Sequence, residues 1–274
     1  MNLKQMNLKQ VNLNQVNLKQ IKALKSKKGR DEQGLFIVEG EKMVAEIPDY
    51  WPVRIYICSE SYAQNNELTA FKSSTVATVS DSRFMSLSDT VTPQGIMAVC
   101  EKRSFGLDQL LSSTGPTSSN NSTKNPLLLI GENLSDPGNI GTLIRTAAAA
   151  GASGVVLSRG SGDIWNPKTI RASAGAILRL PIIENASLKD IITLLKQHGI
   201  IILAAHLKGE VLPYDLDLKS ACGILIGNEA RGLSEETAAL ADFCVKLPID
   251  QGIESLNASV AGGILLYEVV RQRI

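Results

Sequence analysis

A chain of 274 residues that is 44% hydrophobic and 20% charged buries one sizeable core or two modest ones, and two is the better expectation because domains usually run about 100–150 residues. No run of about 18 apolar residues occurs, which excludes a membrane-spanning helix. Cys58, Cys100, Cys222 and Cys244 stand singly among apolar residues, without a CxxC pair or a secretory signal. They are expected to be reduced, buried thiols of a cytoplasmic protein.

The formal net charge is +1, but Lys4, Lys9, Lys19, Lys22, Lys25, Lys27, Lys28 and Arg30 all precede the first acid, Asp31. Such a basic arm, residues 1–30, fits a polyanionic partner such as nucleic acid, or a solvated tail that keeps the chain soluble. Its start repeats a pentapeptide, MNLKQ, MNLKQ, VNLNQ, VNLKQ. An apolar pair at that spacing drifts around a helix by roughly 140° per unit and switches faces of a strand, so neither element gains a steady apolar side. The arm is therefore expected to be disordered or loosely helical, with helix continuing into Ile21–Leu24 as the alternative.

From Gly34 to Arg103, apolar runs at Leu35–Val38, Val53–Cys58, Val76–Val79 and Ile96–Cys100 alternate with helical stretches at Glu41–Ile47 and Asp81–Leu87. This pattern predicts a small α/β domain over residues 31–111. The stretch SSTGPTSSNNSTKN has almost nothing to bury, so residues 112–125 are expected to be a linker.

Residues 126–274 carry uniformly apolar runs at Leu127–Ile130, Val155–Leu157, Ile200–Ala204, Gly223–Ile226 and Val245–Leu247. Between them fall helical stretches at Ile140–Ala150, Leu188–Gln197, Ser234–Ala241 and Ser259–Gln272. Strands without alternation are covered on both faces, which predicts a parallel sheet flanked by helices. Ligands bind such sheets beyond the carboxyl ends of the strands.

Three segments leave those ends. In NLSDPGNIGTLIRTAAAAG, a tight Asp-Pro-Gly-Asn turn leads into a helix that buries Ile140, Leu143, Ile144 and Ala147, with Arg145 off that stripe. Asn139 reads equally as a turn or cap residue, and Arg145 as an ordinary exposed arginine. In IGNEARGLS, Gly227 leaves the strand without a side chain, so a ligand could approach the backbone there, and Glu229 lies at a strand end between two glycines. In LPIDQGIESLNASVAGGILLYEVVRQR, a polar loop runs into a helix that starts on small residues, and Ser255 and Asn257 read singly as caps. With two histidines and no HExxH, GxSxG, GxxxxGK[ST] or GxGxxG, the chain offers no metal hydrolase, α/β-hydrolase, P-loop or dinucleotide-binding signature.

Taken together and in this order, the three segments resemble the three signature motifs of the SpoU (TrmH-type) family of SPOUT RNA 2′-O-ribose methyltransferases. The likeness runs from Leu127 to the C-terminus. FIVEGEKMVAE and TPQGIMAVC are similar, more weakly, to the ribosomal-protein-L30e-like substrate (RNA)-binding domain that precedes many of these catalytic domains. Motif three departs from the family pattern at Ile249-Asp250-Gln251, where an apolar or small residue followed by glycine is commoner.

The resemblance implies a sheet whose C-terminal strands and loops are threaded into a trefoil knot, a rare exception to unknotted topology. It implies that S-adenosylmethionine, and no metal, is held there by Gly227, Leu247, Ile249 and Leu256, with Ala205 as an additional contact. It also implies a homodimer joined through the knot helices, with no membrane association. Asn139, Arg145, Glu229, Ser255 and Asn257 fall on the family's functional positions. Methyl transfer needs the ribose 2′-hydroxyl in line with the methyl and its proton removed. With no suitably placed histidine, Arg145 is the family's candidate for assisting that step. A guanidinium is a poor base, so positioning of the hydroxyl and phosphate weighs at least equally. Asn139, Ser255 and Asn257 are expected to orient arginine, ribose and loop, and Glu229 to brace the site. The separate N-terminal domain favours 23S ribosomal RNA over tRNA as substrate. The other readings are a tRNA methyltransferase, an antibiotic-resistance methyltransferase, and a non-catalytic RNA-binding or ribosome-assembly protein with the same fold.

Overall fold

In the computed structural model, the alternating apolar runs and helical stretches become two separate sheets. The structure describes residues 17–66, 75–111 and 125–274, and the backbone of residues 9–10. Most of the pentapeptide repeat, and the expected linker apart from Asn125, lie outside the described residues.

The chain divides into two compact units, one reaching Arg103 and adding Trp165–Ile170, the other comprising Ser104–Ile164 and Arg171–Ile274. The break comes earlier than the expected residue 111. Leu110 is the reason, since it is fully buried with Leu128, Ile130 and Val156 of the second unit.

The strands of the first unit are β1 (Lys9–Gln10), β2 (Leu35–Glu39), β3 (Val53–Ser59), β4 (Thr75–Val79) and β5 (Ile96–Glu101), in the order β1-β4-β3-β5-β2. The β5 strand runs antiparallel to both its neighbours, while β1, β4 and β3 are parallel. Around the sheet lie α1 (Leu18–Ala23), α2 (Lys27–Gln33), α3 (Glu41–Ala45), α4 (Glu60–Asn65) and α5 (Asp81–Leu87). The arm expected up to residue 30 is thus folded from Asn17 onward. Ile21 and Leu24 project from one side of α1 into a core with Ile37, Ile57, Phe84 and Met97, and each such burial contributes about 1.5–3 kcal/mol.

The second unit contains β6 (Leu127–Gly131), β7 (Gly154–Ser158), β8 (Ile182–Ala186), β9 (Ile201–Ala205), β10 (Cys222–Ile226) and β11 (Phe243–Val245). Their order is β11-β9-β10-β6-β7-β8, and every pairing is parallel. The remaining helices are α6 (Leu107–Leu111), α7 (Pro137–Ala149), α8 (Pro167–Ser173), α9 (Leu188–Gln197), α10 (Glu235–Ala238) and α11 (Ala258–Arg273). The α7 and α11 helices meet closely, because a Cβ at Gly262 would lie 2.5 Å from Leu143 Cδ2.

The last strand sits earlier than the expected Val245–Leu247. Asp242 starts its pairing by exchanging hydrogen bonds with the Ile202 N–H, through Oδ2 at 2.8 Å, and the Ile202 carbonyl, at 2.9 Å. Lys246 then turns away to donate to the Val211 carbonyl at 3.0 Å. Residues 206–211 cross close over this segment, and a side chain on Gly209 would come within 2.7 Å of the Cys244 carbonyl oxygen.

Candidate active site

The site grows from the carboxyl ends of β6 and β10. These strands are in register, Ile226 beside Gly131, and the Glu132 N–H continues the ladder to the Ile226 carbonyl at 2.8 Å. Glu132, only 7% exposed, turns its carboxylate toward the start of α10. There it accepts from Ser234 N (2.8 Å), Ser234 Oγ (2.7 Å) and Thr237 Oγ1 (2.5 Å). The sequence reading assigned Glu132 no role. Its signal was the one that marked Glu229, an acid just past the end of an apolar strand.

Asp136, rather than Asn139, caps α7, with Oδ1 accepting the Asn139 N–H at 2.9 Å and Pro137 occupying the first turn. The Asn139 side chain is thereby released from capping. Its amide donates to Glu229 Oε1 at 3.3 Å, and its carbonyl oxygen accepts from Asn257 Nδ2 at 3.0 Å. Asn257 caps α11 through the other end of its own amide, with Oδ1 accepting from Ser259 N (2.9 Å), Ser259 Oγ (2.6 Å) and Val260 N (3.3 Å). One side chain thus starts a helix and reaches the neighbouring motif.

Glu229 receives the largest share of donors. Its carboxylate accepts from Ser135 N at 3.1 Å, Ser135 Oγ at 2.9 Å, Asp136 N at 3.1 Å and Asn228 Nδ2 at 3.4 Å, besides Asn139. Burial alone would raise its pKa. The backbone N–H groups of Glu229 itself, Asp136 and Ser135, with the Asn139 amide, outweigh burial and hold it below the ordinary 4.5. Asn228 shapes the loop around it, donating to the Asn133 carbonyl at 2.7 Å and accepting from Ala230 N (3.0 Å) and Arg231 N (3.1 Å).

Three of the five motif positions, Asn139, Glu229 and Asn257, therefore form one connected network. Arg145 and Ser255 stand apart from it. Both side chains are exposed and, among the described residues, make no hydrogen bond or ion pair.

The residues expected around a cofactor cluster at the ends of adjacent strands. Ala205 closes β9 in register with Val245, Gly227 follows β10, and Leu247 follows β11. Leu247, Ile249 and Leu256 are half-buried, so small residues and a partly covered apolar loop border this edge. The space beside Gly227 is filled by the chain's own turn, since a Cβ there would lie 2.2 Å from Gly232 C and 2.3 Å from Leu233 N. Its glycine is explained by that turn, and the residue itself is buried. His206 follows β9 directly. Its Nδ1 accepts the Lys208 N–H at 3.1 Å.

A parallel α/β sheet with apolar strand-end loops and a polar network defines a ligand-binding enzyme domain. The comparisons give its class. The model of the SpoU rRNA Methylase family matches residues 126–267, and that of an MRM3-like substrate binding domain matches residues 15–98. The human mitochondrial rRNA methyltransferase 3 is 30% identical, over 91% of this chain and 70% of its own length. The Bacillus subtilis 23S rRNA (guanosine(2553)-2′-O)-methyltransferase RlmP is 29% identical, over 91% of this chain and 93% of its own. An AdoMet-bound rRNA methyltransferase from Sinorhizobium meliloti superposes with a TM-score of 0.80 at 31% identity, covering 97% of this chain and 98% of that one. The class is that of S-adenosylmethionine-dependent RNA methyltransferases. This chain belongs to the SpoU rRNA methylase family.

Proposed function

We propose that this protein methylates a ribose 2′-hydroxyl of 23S ribosomal RNA. The observation that carries this reading is the Asn257–Asn139–Glu229 chain of hydrogen bonds. It ties together all three motif segments beside the strand ends that are lined for a cofactor. The Bacillus subtilis relative, named for this reaction on 23S rRNA, supports the choice of RNA.

S-adenosylmethionine, when bound, supplies the methyl group on a sulfonium. Gly227 through its backbone, together with Ala205, Leu247, Ile249 and Leu256, would hold it at the ends of β9, β10 and β11. Accepting that methyl would require the ribose 2′-hydroxyl to give up its proton, to solvent water at this exposed edge of the site. Arg145, exposed and uncommitted to any partner in the fold, is suited to hold the hydroxyl and adjacent phosphate with its planar donor fork. Ser255, equally uncommitted on the loop before α11, is placed to meet the ribose. Glu229 serves as a brace. A carboxylate saturated by five neighbouring donors and held ionised is a poor proton acceptor, but it fixes the turn before α7.

The active form is proposed to be a homodimer joined through α11. Val260, Ile264 and Tyr267, spaced i, i+4, i+7, are 49%, 38% and 50% exposed. The opposite side of the same helix buries Leu265, Leu266 and Val269, so an apolar stripe is left over for a second copy. The close crossing of residues 206–211 over 244–246 supports threading of this region into a knot. The four free cysteines, three of them buried, suit a reducing compartment, the cytoplasm, and no described helix is long and apolar enough to cross a membrane.

Mapping ribose methylation in RNA from cells lacking the protein tests the reading. One 23S rRNA position should lose its 2′-O-methyl group and regain it on complementation. Loss confined to a tRNA would replace the substrate, and an unchanged map would overturn the activity.

A further inference from the structure

The corner between α1 and α2 was expected to belong to a disordered or loosely helical basic arm, with helix into Ile21–Leu24 as the alternative, and the structure folds it. Arg30, 2% exposed, sends its guanidinium under the bend and donates to the carbonyls of Leu24 (2.7 Å) and Lys25 (3.0 Å). Ser26 Oγ caps α2 by accepting the Gly29 N–H at 3.1 Å, and Gln33 Nε2 donates to the Gln20 carbonyl at 3.0 Å. The two helices touch so closely at Gly29 that a Cβ would lie 2.1 Å from the Ala23 carbonyl oxygen.

What this corner presents is positive charge. Lys19, Lys22, Lys25, Lys27 and Lys28 are all exposed, and Lys25 Nζ additionally reaches the Ser88 carbonyl at 2.6 Å. The acids of α2 offset only part of it, since Asp31 acts on Lys27 as well as on Lys102. Asp31 is taken by Lys102 at 2.6 Å, and Glu32 lies 3.8 Å from Lys28 with both side chains largely in solvent. Neither helix has an acid in its first turn, and α2 places Lys27 and Lys28 there. A helix dipole disfavours cations at that end. Lys27 and Lys28 are thus kept against local electrostatic preference, as functional surfaces keep residues that break a folding rule.

We propose that the α1–α2 corner is a docking surface for the phosphate backbone of the RNA substrate, with Lys19, Lys22, Lys27 and Lys28 as its phosphate contacts. Ammonium groups on flexible stems neutralise phosphates without reading bases, so the corner supplies affinity and registration while sequence is read elsewhere. The proposal rests on the RNA-methyltransferase reading for the identity of the polyanion.

The test titrates the full-length chain and its K19Q/K22Q/K27Q/K28Q variant with a 23S rRNA transcript across a range of KCl concentrations, reading methyl transfer in the same samples. Each lost phosphate contact lowers the slope of log Kd against log salt by roughly 0.7–0.9, so the variant's slope should fall by roughly 3 and its affinity near 0.1 M salt by roughly a thousandfold. S-adenosylmethionine binding should be unchanged, and an unchanged circular dichroism spectrum with a single unaltered first-unit unfolding transition reports an intact corner. A K189Q/K219Q variant of the second unit is the charge control. An unchanged slope in the corner variant, or an equal loss per lysine in the control, would overturn the proposal. Transfer without a corner-dependent slope sinks the corner alone, whereas a corner-dependent slope without any transfer leaves the corner standing and sinks the enzymatic reading.

Discussion

Glu229 accepts backbone N–H groups from Ser135 and Asp136 as well as the Asn139 amide, so its replacement acts on the turn before α7 before it acts on chemistry. Glu229→Gln retains one oxygen and turns an amide NH2 toward donors. Hydrogen bonds to a charged acceptor are worth about 1.5–3 kcal/mol, so turnover should fall roughly 10- to 100-fold in a methyl-transfer assay. The same carboxylate gives a pH signature. Its folded pKa lies below 4.5, so its stabilisation is fully present above 4.5 and is lost as pH falls through the lower folded value. The stability gap between wild type and Glu229→Gln, followed by chemical denaturation, should be constant from pH 7 to about 5 and shrink below about 4.5; a gap that widened on acidification would contradict the assignment. Arg145→Ala should abolish transfer while leaving stability within about 0.5 kcal/mol, because the side chain has no partner among the described residues. Near-normal rates in that variant would remove Arg145 from the mechanism. Much of this was legible in the sequence, since Glu229, Asn139 and Asn257 were picked as polar residues at strand ends or caps. That Asn257 both caps α11 and reaches Asn139 was not legible, because that contact spans residues far apart in the chain and depends on how α7 and α11 pack.

At the scale of elements, the apolar periodicity of α7, α9 and α11 and the uninterrupted runs of β6, β7, β9 and β10 carried their positions directly. The β8 strand was missed because Glu184 and Asn185 interrupt its apolar run, and a half-exposed edge strand has no need of one. The α1–α2 corner was read as tail because its lysines outnumber its apolar residues, although Ile21 and Leu24 suffice to anchor it once Arg30 satisfies the bend. Gly29→Ala would force α2 off the Ala23 carbonyl and should cost about 1–3 kcal/mol as overpacking, measured as a lower denaturation midpoint of the first unit. Lys27→Gln, which removes a cation from the α2 N-terminus and leaves the Lys28–Glu32 pair in place, should keep or slightly raise the melting temperature while weakening RNA binding. A fall in melting temperature would show that this lysine serves the fold instead.

For the whole molecule, two modest cores rather than one followed from length and composition, and the parallel order of the second sheet followed from its unalternating strands. Self-association was expected from family resemblance and acquires a physical candidate only in the structure, the Val260–Ile264–Tyr267 stripe of α11. Ile264→Lys with Tyr267→Lys should convert a dimer to monomer in sedimentation and reduce transfer at least tenfold, with the isolated fold retained; an unchanged dimer would place the interface elsewhere. The central claim is that the second unit delivers methyl to a ribose hydroxyl of 23S rRNA. Incubating the protein with S-adenosylmethionine labelled in its methyl group and 23S rRNA or tRNA, then digesting to nucleosides, measures this directly. The account predicts label in a 2′-O-methylnucleoside from 23S rRNA, absent with Arg145→Ala, and label appearing on a base, or in neither RNA, would contradict it.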